Sequence, residues 1–244
     1  MTSSLPRRAF AEFLGSGLLV AVVVGSGIAA QQLSRDVGLQ LLENALVTAA
    51  ALPVLILMLG PISGAHFNPV ISVADWLVGR RTRSGLSRRD LCVYLPAQIA
   101  GAIGGAALAN AMFDVGLAWS TRHRASAHLW LGEVVATAGL LLVIVSLARS
   151  GRTNQTPWAV GAYIGAAYWF TSSTSFANPA VSIGRAFSDT FAGIAPSSLP
   201  GFIGAQIVGG AVGLLLIAVL YPAASDVADD LVVPHHLASL ESHP

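Results

Sequence analysis

Two asparagine–proline pairs, Asn68-Pro69-Val70 and Asn178-Pro179-Ala180, are the residues whose type and spacing in this chain could do chemistry. The asparagines lie 110 positions apart (178 − 68) in a chain of 244, each pair following small and polar residues inside hydrophobic sequence. An asparagine side chain can cap the first free backbone N–H groups of a helix, and a proline at the first helical position has no N–H to leave unpaired. Two helices that begin at membrane depth, rather than at its surface, imply a polar path through the bilayer.

That reading depends on the elements that carry the pairs. The chain is 54% hydrophobic and 10% charged, with a mean hydropathy of +0.69. Soluble domains carry about 25% charged residues, so this is the composition of a membrane protein. A spanning helix needs about 20 apolar residues, and six such stretches occur near 9–31, 39–60, 91–113, 128–148, 157–173 and 199–222, the fifth being short. The first is too long for a signal-peptide core and contains Glu12, so it reads as a span. Cys92 is the single cysteine, which excludes an internal disulfide and a multi-cysteine metal site and leaves it a packing role at the polar edge of the third span. No metal-ligand cluster and no nucleophile–base constellation has a recognised spacing, so neither an enzyme nor a cofactor is expected.

All 13 basic residues are arginine. Arg7, Arg8, Arg80, Arg81, Arg83, Arg88, Arg89, Arg149 and Arg152 fall on one side of the predicted spans, and Arg35, Arg122, Arg124 and Arg185 on the other. The positive-inside rule then places both termini in the cytoplasm. One polytopic membrane domain is expected over 1–222, with a polar cytoplasmic tail over 223–244 that carries His235, His236 and His243.

The pairs belong to an internal repeat, about 7–113 and 128–222. The stretch from Leu95 to Ala106 reads like that from Ile203 to Gly213; Gln98 follows Asn68 by 30 positions and Gln206 follows Asn178 by 28. The residues around Glu12 echo those around Glu133. Three spans per half is an odd number, so the second half enters the membrane inverted, an arrangement that builds sites at the repeat interface near the midplane. The segments after the pairs, about 69–79 and 179–191, are too short to cross. The irregular backbone before them must be buried in protein or line a wet cavity. Gly101, Gly104, Gly105, Gly209, Gly210 and Gly213 would let spans approach closely.

The run Ser63-Gly-Ala-His-Phe-Asn-Pro69, the second Asn-Pro-Ala, Glu12, Glu133, Gln98 and Gln206 together resemble the aquaporin, or major intrinsic protein, family over about residues 7–222. The resemblance implies an all-α membrane protein: six transmembrane helices plus two re-entrant half-helices in an inverted repeat, one passive pore per subunit, and assembly as a homotetramer. The implied partners are small neutral solutes and the lipid bilayer, with no nucleic acid, and the implied site is a bacterial inner membrane. Asn68 and Asn178 would donate to a passing oxygen while capping their helices, and two facing helix starts would oppose cations. Glu12 and Glu133 would hold the re-entrant loops, and Gln98 and Gln206 would fasten half-helices to spans. His66 would be a fixed pore-lining partner, with gating by protonation as the alternative.

The chain departs from the family at the outer constriction. Members usually carry arginine directly after the second triplet, where this chain has Val181. Counting without gaps from the asparagines gives Thr48, Ala166 and Ser175 as the other filter positions, none aromatic or charged. Such a filter is wider and less polar than a water-selective one, and favours glycerol-like polyols, urea or a neutral metalloid hydroxide such as arsenous acid. The stretch from Ala177 to Ala195 resembles a bacterial branch associated with arsenic-resistance operons. Arg185, one helical turn beyond Val181, either reaches back to the outer vestibule or makes a bland contact, an i, i+4 pair with Asp189 or a bond to the loop. The competing function is a proton-coupled secondary transporter, with Glu12 or Glu133 as the proton carrier.

Overall fold

The computed structural model describes residues 3–80 and 85–221. The tail and its histidines lie outside the described residues.

Among the described residues, eight α-helices follow one another: α1 (Leu5–Leu33), α2 (Val37–Ser63), α3 (Pro69–Gly79), α4 (Arg88–Met112), α5 (Ala127–Arg149), α6 (Thr156–Phe170), α7 (Pro179–Arg185) and α8 (Leu199–Leu220). Local sequence sets their ends. The Asp36 side chain accepts from Leu39 N (2.9 Å) to start α2, and Gly64, at φ 88°, stops it in the left-handed region that glycine tolerates. Ser87 and Asp90 form a reciprocal capping box that starts α4. Among the described residues, α1, α2, α4, α5 and α8 are long and apolar enough to cross a membrane. At 15 residues, α6 spans about 22 Å at 1.5 Å per residue and completes the set of six, with α3 and α7 as half-helices.

The packing repeats as the sequence does. In the first half α1 lies mainly on α4, and in the second α5 lies on α8. Glycines permit both crossings: a Cβ on Gly17 would sit 3.0 Å from the Gly101 carbonyl oxygen, and one on Gly209 would sit 2.7 Å from that of Val134. Gly104 departs from expectation, since a Cβ there would meet open space; its side of α4 faces away from α1, which its neighbours Gly101 and Gly105 touch. Large apolar side chains such as Leu57, Met58, Trp169, Phe170, Leu215 and Val219 are exposed, as lipid contact requires.

The second half-helix is shorter than the expected 179–191, ending at Arg185. Ala186 N and Phe187 N bond back only three residues, to Ile183 O (3.1 Å) and Gly184 O (3.1 Å), which tightens and ends the turn. Asn110 then captures the Phe187 carbonyl (3.1 Å) and accepts from Ser188 Oγ (2.7 Å), turning the chain away from the helix axis.

Two faces are defined by contacts. The Arg8–Asp90 ion pair (2.8 Å) and the bond from Leu86 N to Asp75 (2.7 Å) gather the starts of α1 and α4 and the end of α3 on the face nearest the N-terminus. On the distal face, the loop before α5 laces onto the loop after α7. Ser120 N donates to Ala186 O (2.9 Å), Thr121 N to Asp189 (2.8 Å), and Ala195 N to Arg122 O (2.7 Å).

Candidate functional site

Two fully buried glutamates hold the irregular backbone before each half-helix. Glu12 on α1 accepts from His66 N (3.0 Å), Phe67 N (2.7 Å), Ser63 Oγ (2.7 Å) and Gln98 Nε2 (2.7 Å). Glu133 on α5 accepts from Phe176 N (2.8 Å), Ala177 N (2.8 Å) and Gln206 Nε2 (2.6 Å). The same glutamines reach the half-helices: Gln98 donates to Ser72 Oγ on α3 and Gln206 to Ser182 Oγ on α7, both at 2.9 Å. Each serine lies four residues after its asparagine, so the pattern is one device used twice.

Asn68 and Asn178 join the two devices. Asn68 Oδ1 accepts from Val70 N (3.0 Å), and Asn178 Oδ1 from Ala180 N (3.0 Å) and Val181 N (3.2 Å), capping α3 and α7. Asn68 Nδ2 donates across to the Ala177 carbonyl (2.8 Å), and Asn178 Nδ2 to the Phe67 carbonyl (2.7 Å). The half-helices therefore meet start to start. A primary amide has two N–H donors, so each asparagine has one left over, and both line a cavity.

That cavity has two chemically different walls. Leu19, Val23, Leu52, Ile56, Leu140, Ile144, Val160 and Ile164 from α1, α2, α5 and α6 make an apolar side. Residues 65–68 and 175–178 of the re-entrant segments make a polar one. His66 lines it, with Nδ1 3.1 Å from Ser72 Oγ. Thr48, Ser175 and Val181 also line it. Pro69, Val70, Pro179 and Ala180 do not; Pro69, Val70 and Pro179 border an apolar groove beside α8 instead. In each triplet only the asparagine side chain turns inward, because the next two residues open a helix whose face packs on a span. A Cβ on Gly210 would sit 2.8 Å from Val70 Cγ1, so α8 has made room for the larger residue that ends the first triplet.

Ala166 is a correction: it is exposed on the outside of α6. The residues of α6 that line the cavity are Val160, Ile164 and Tyr168. Ala166 is two positions from each of the last two, about 200° around a helix of 3.6 residues per turn, and a count without gaps landed on the opposite face. The Tyr168 hydroxyl lies 3.3 Å from Thr48 Oγ1, which donates to Asn44 O (2.8 Å). The i, i+4 stripe Val160–Ile164–Tyr168 was the signal that the spacing count overlooked.

The cavity lining around Val181 is neither free of aromatics nor of charge. Arg185 is buried and lines the cavity, its Nε donating to the Ala192 carbonyl and its guanidinium carbon 3.4 Å from the Phe176 ring centroid. It does not pair with Asp189, which accepts from Thr121 N (2.8 Å) and Thr121 Oγ1 (3.0 Å); those bonds hold the Asp189 carboxyl below its ordinary range. Phe176 was missed as well, although the 110-residue offset equates it with His66. Cys92 is exposed near the start of α4 rather than packed, and does not line the cavity.

Comparison with known proteins agrees with this architecture. The model of the major intrinsic protein family matches residues 1–190. The aquaglyceroporin AqpS of Rhizobium meliloti is 51% identical over 221 residues, covering 90% of this chain and 92% of that protein. The glycerol uptake facilitator protein of Pseudomonas aeruginosa is 30% identical over 232 residues, covering 82% and 80%. The X-ray structure of the aquaglyceroporin from Plasmodium falciparum shares the fold, with a TM-score of 0.67 over 91% of this chain and 99% of that one at 21% identity. With its paired half-helices and a family match over most of its length, this chain belongs to the major intrinsic protein family.

Proposed function

We propose that the chain is a passive membrane channel for small uncharged solutes. Family membership supports the coarse statement. The finer one is that it passes glycerol- and urea-like compounds and neutral metalloid hydroxides of the arsenous-acid type, with some water. The observation that carries it is the two-walled cavity: an apolar side from four helices faces a polar side of loop backbone and two asparagine amides. A polyol can lay its carbons on the first and its hydroxyls on the second. An unmade buried hydrogen bond costs about 1–3 kcal/mol, so this wall replaces the water that the solute sheds.

The selective end is assigned to Thr48, Tyr168, Ser175, Val181 and Arg185. Valine at the position after the second triplet widens the passage, and Arg185, one turn further on, returns a positive charge. The name of the aquaglyceroporin from Rhizobium meliloti favours a polyol-type cargo, and likeness to the arsenic-operon branch favours the metalloid. Both termini are assigned to the cytoplasm of a bacterial inner membrane, with a homotetramer as the working assembly. Every oxygen of Glu12 and Glu133 is engaged by loop N–H groups, a glutamine or a serine, which supports a holding role over a proton-carrying one.

Stopped-flow flux of glycerol, urea, arsenous acid and water into proteoliposomes, with no ion gradient, tests the reading. Glycerol and arsenous acid should enter faster than into empty vesicles. Entry that requires a proton gradient would show a coupled transporter instead.

A further inference from the structure

Arg185 carries a buried charge that stacks on a phenyl ring and forms no ion pair among the described residues. It is 2% exposed, and only Nε has a protein partner, the Ala192 carbonyl. Among the described residues its two terminal nitrogens donate to no partner, and the side chain lines the cavity. Ser175, 3% exposed on the same wall, has a hydroxyl with no hydrogen-bond partner.

A second guanidinium leans on the same ring. Arg124, half-buried in the loop before α5, has its guanidinium carbon 5.1 Å from the Phe176 centroid. Its Nε donates to Gly193 O (3.0 Å) and its backbone N–H to Ser198 Oγ (2.9 Å). Burial, and then the neighbouring Arg122, pulls the Arg124 guanidinium down to about 10, which leaves it cationic at neutral pH. The carboxylate felt by both arginines is Glu133, whose oxygens are already engaged by Phe176 N, Ala177 N and Gln206. Asp189 is exposed and held by Thr121. With Arg122 set against Asp189, Arg124 and Arg185 face the one carboxylate of Glu133, which leaves one positive charge over.

We infer that Arg185 and Ser175, with Arg124 against the same phenyl ring, form a site at the distal end of the cavity for a small, planar, monovalent oxyanion whose binding obstructs neutral solutes. The residual charge sets the valence. The two free terminal nitrogens set the shape, because a guanidinium fork matches two oxygens on one atom, as in a carboxylate or nitrate. The terminal N–H groups face the cavity without a protein partner, and a charge-assisted pair of bonds from them is stronger than bonds to water. The obstruction rests on the channel reading; the binding does not.

Nitrate is the probe, since it has the shape and does not cross lipid as a neutral acid. In thermal scans of the purified protein, nitrate should raise Tm saturably over chloride at equal ionic strength, and sulfate should not. In proteoliposomes, nitrate should slow glycerol entry over the same concentration range. Arg185→Met should lose both effects. Arg185→Lys, which keeps the charge but not the fork, should lose the preference for nitrate over chloride and decides the case if the methionine variant does not fold. Arg124→Met should raise the half-saturating concentration about fivefold or more through the lost charge. No nitrate-specific shift in the unaltered protein, or the same shift in Arg185→Lys, overturns the site. A shift without slowing overturns the obstruction. If glycerol does not enter at all, the channel reading fails while the thermal shift still decides the site.

Discussion

The two re-entrant loops share a backbone and differ in what they carry. Gly64, Ala65 and Phe67 have φ of 88°, 52° and 49°; Thr174, Ser175 and Ala177, each 110 positions later, have 62°, 49° and 48°. Five of these six are not glycine, and a left-handed φ is uncommon for other residues. Each loop is held there by a buried glutamate that takes two of its backbone N–H groups. The side chains then break the symmetry. His66 answers to Phe176, and Asp75 answers to Arg185. Asp75 turns away from the cavity to accept from Leu86 N, whereas Arg185 turns in. The comparison separates two jobs: inverted repetition builds the passage, and departures from repetition give its ends different chemistry.

The largest expected effects come from removing the shared device. Glu12→Ala orphans four donors and Glu133→Ala three, at about 1–3 kcal/mol for each buried group left unmet. Both should lose folded protein on gel filtration in detergent, Glu12→Ala more completely. If Glu133→Ala proved the worse, the two loops would not be held in the same way.

Next is the asymmetric pair. Arg185→Met should leave the scaffold intact yet raise the glycerol-to-water flux ratio several-fold, given that a hydrogen bond to a charged group is worth about 1.5–3 kcal/mol. Asp75→Asn should leave that ratio alone and lower Tm. Identical selectivity in the two variants would abolish the distinction between the ends. Val181→Arg should narrow the passage, and unchanged glycerol and arsenous acid flux would refute the assignment of Val181 to the constriction.

Smaller still is an acid limb confined to the distal face. The carboxyl of Asp189 is held below its ordinary value, chiefly by the backbone N–H of Thr121. Its contribution is therefore present above the unfolded value of about 3.9 and fades as pH falls through the lower folded one. Thermal scans should be flat from near neutrality down to about pH 4, with a small loss below that is absent in Asp189→Asn. The smallest effect expected is none: Cys92 is exposed and outside the cavity lining, so a mercurial should leave glycerol flux unchanged, and strong inhibition would mean that the passage runs elsewhere.

Most of the scaffold was legible in the sequence because its signals are local or periodic. Spans follow from runs of apolar residues, and half-helix starts from Asn-Pro. The inverted repeat follows from spaced copies of Glu, Asn and Gln. The cavity lining was legible only in part. Thr48, Ser175 and Val181 line the cavity as counted, but Ala166 faces outward, since a two-residue error in phase reverses a helix face. The residues that give the cavity its charge and its aromatic surface, Arg185, Tyr168 and Phe176, were not separable from ordinary packing residues by spacing alone.

By itself the sequence determined that the chain crosses a membrane, that its halves are inverted copies, and that two capped half-helices meet near the middle, since composition, periodicity and capping are properties of neighbours along the chain. Only the tertiary structure decided which way Arg185 points. Its direction depends on the Phe176 ring, held in the re-entrant segment before α7, and on the Ala192 carbonyl, brought to it by a loop that ends α7 early and folds back over the distal face. No spacing in the sequence encodes that return.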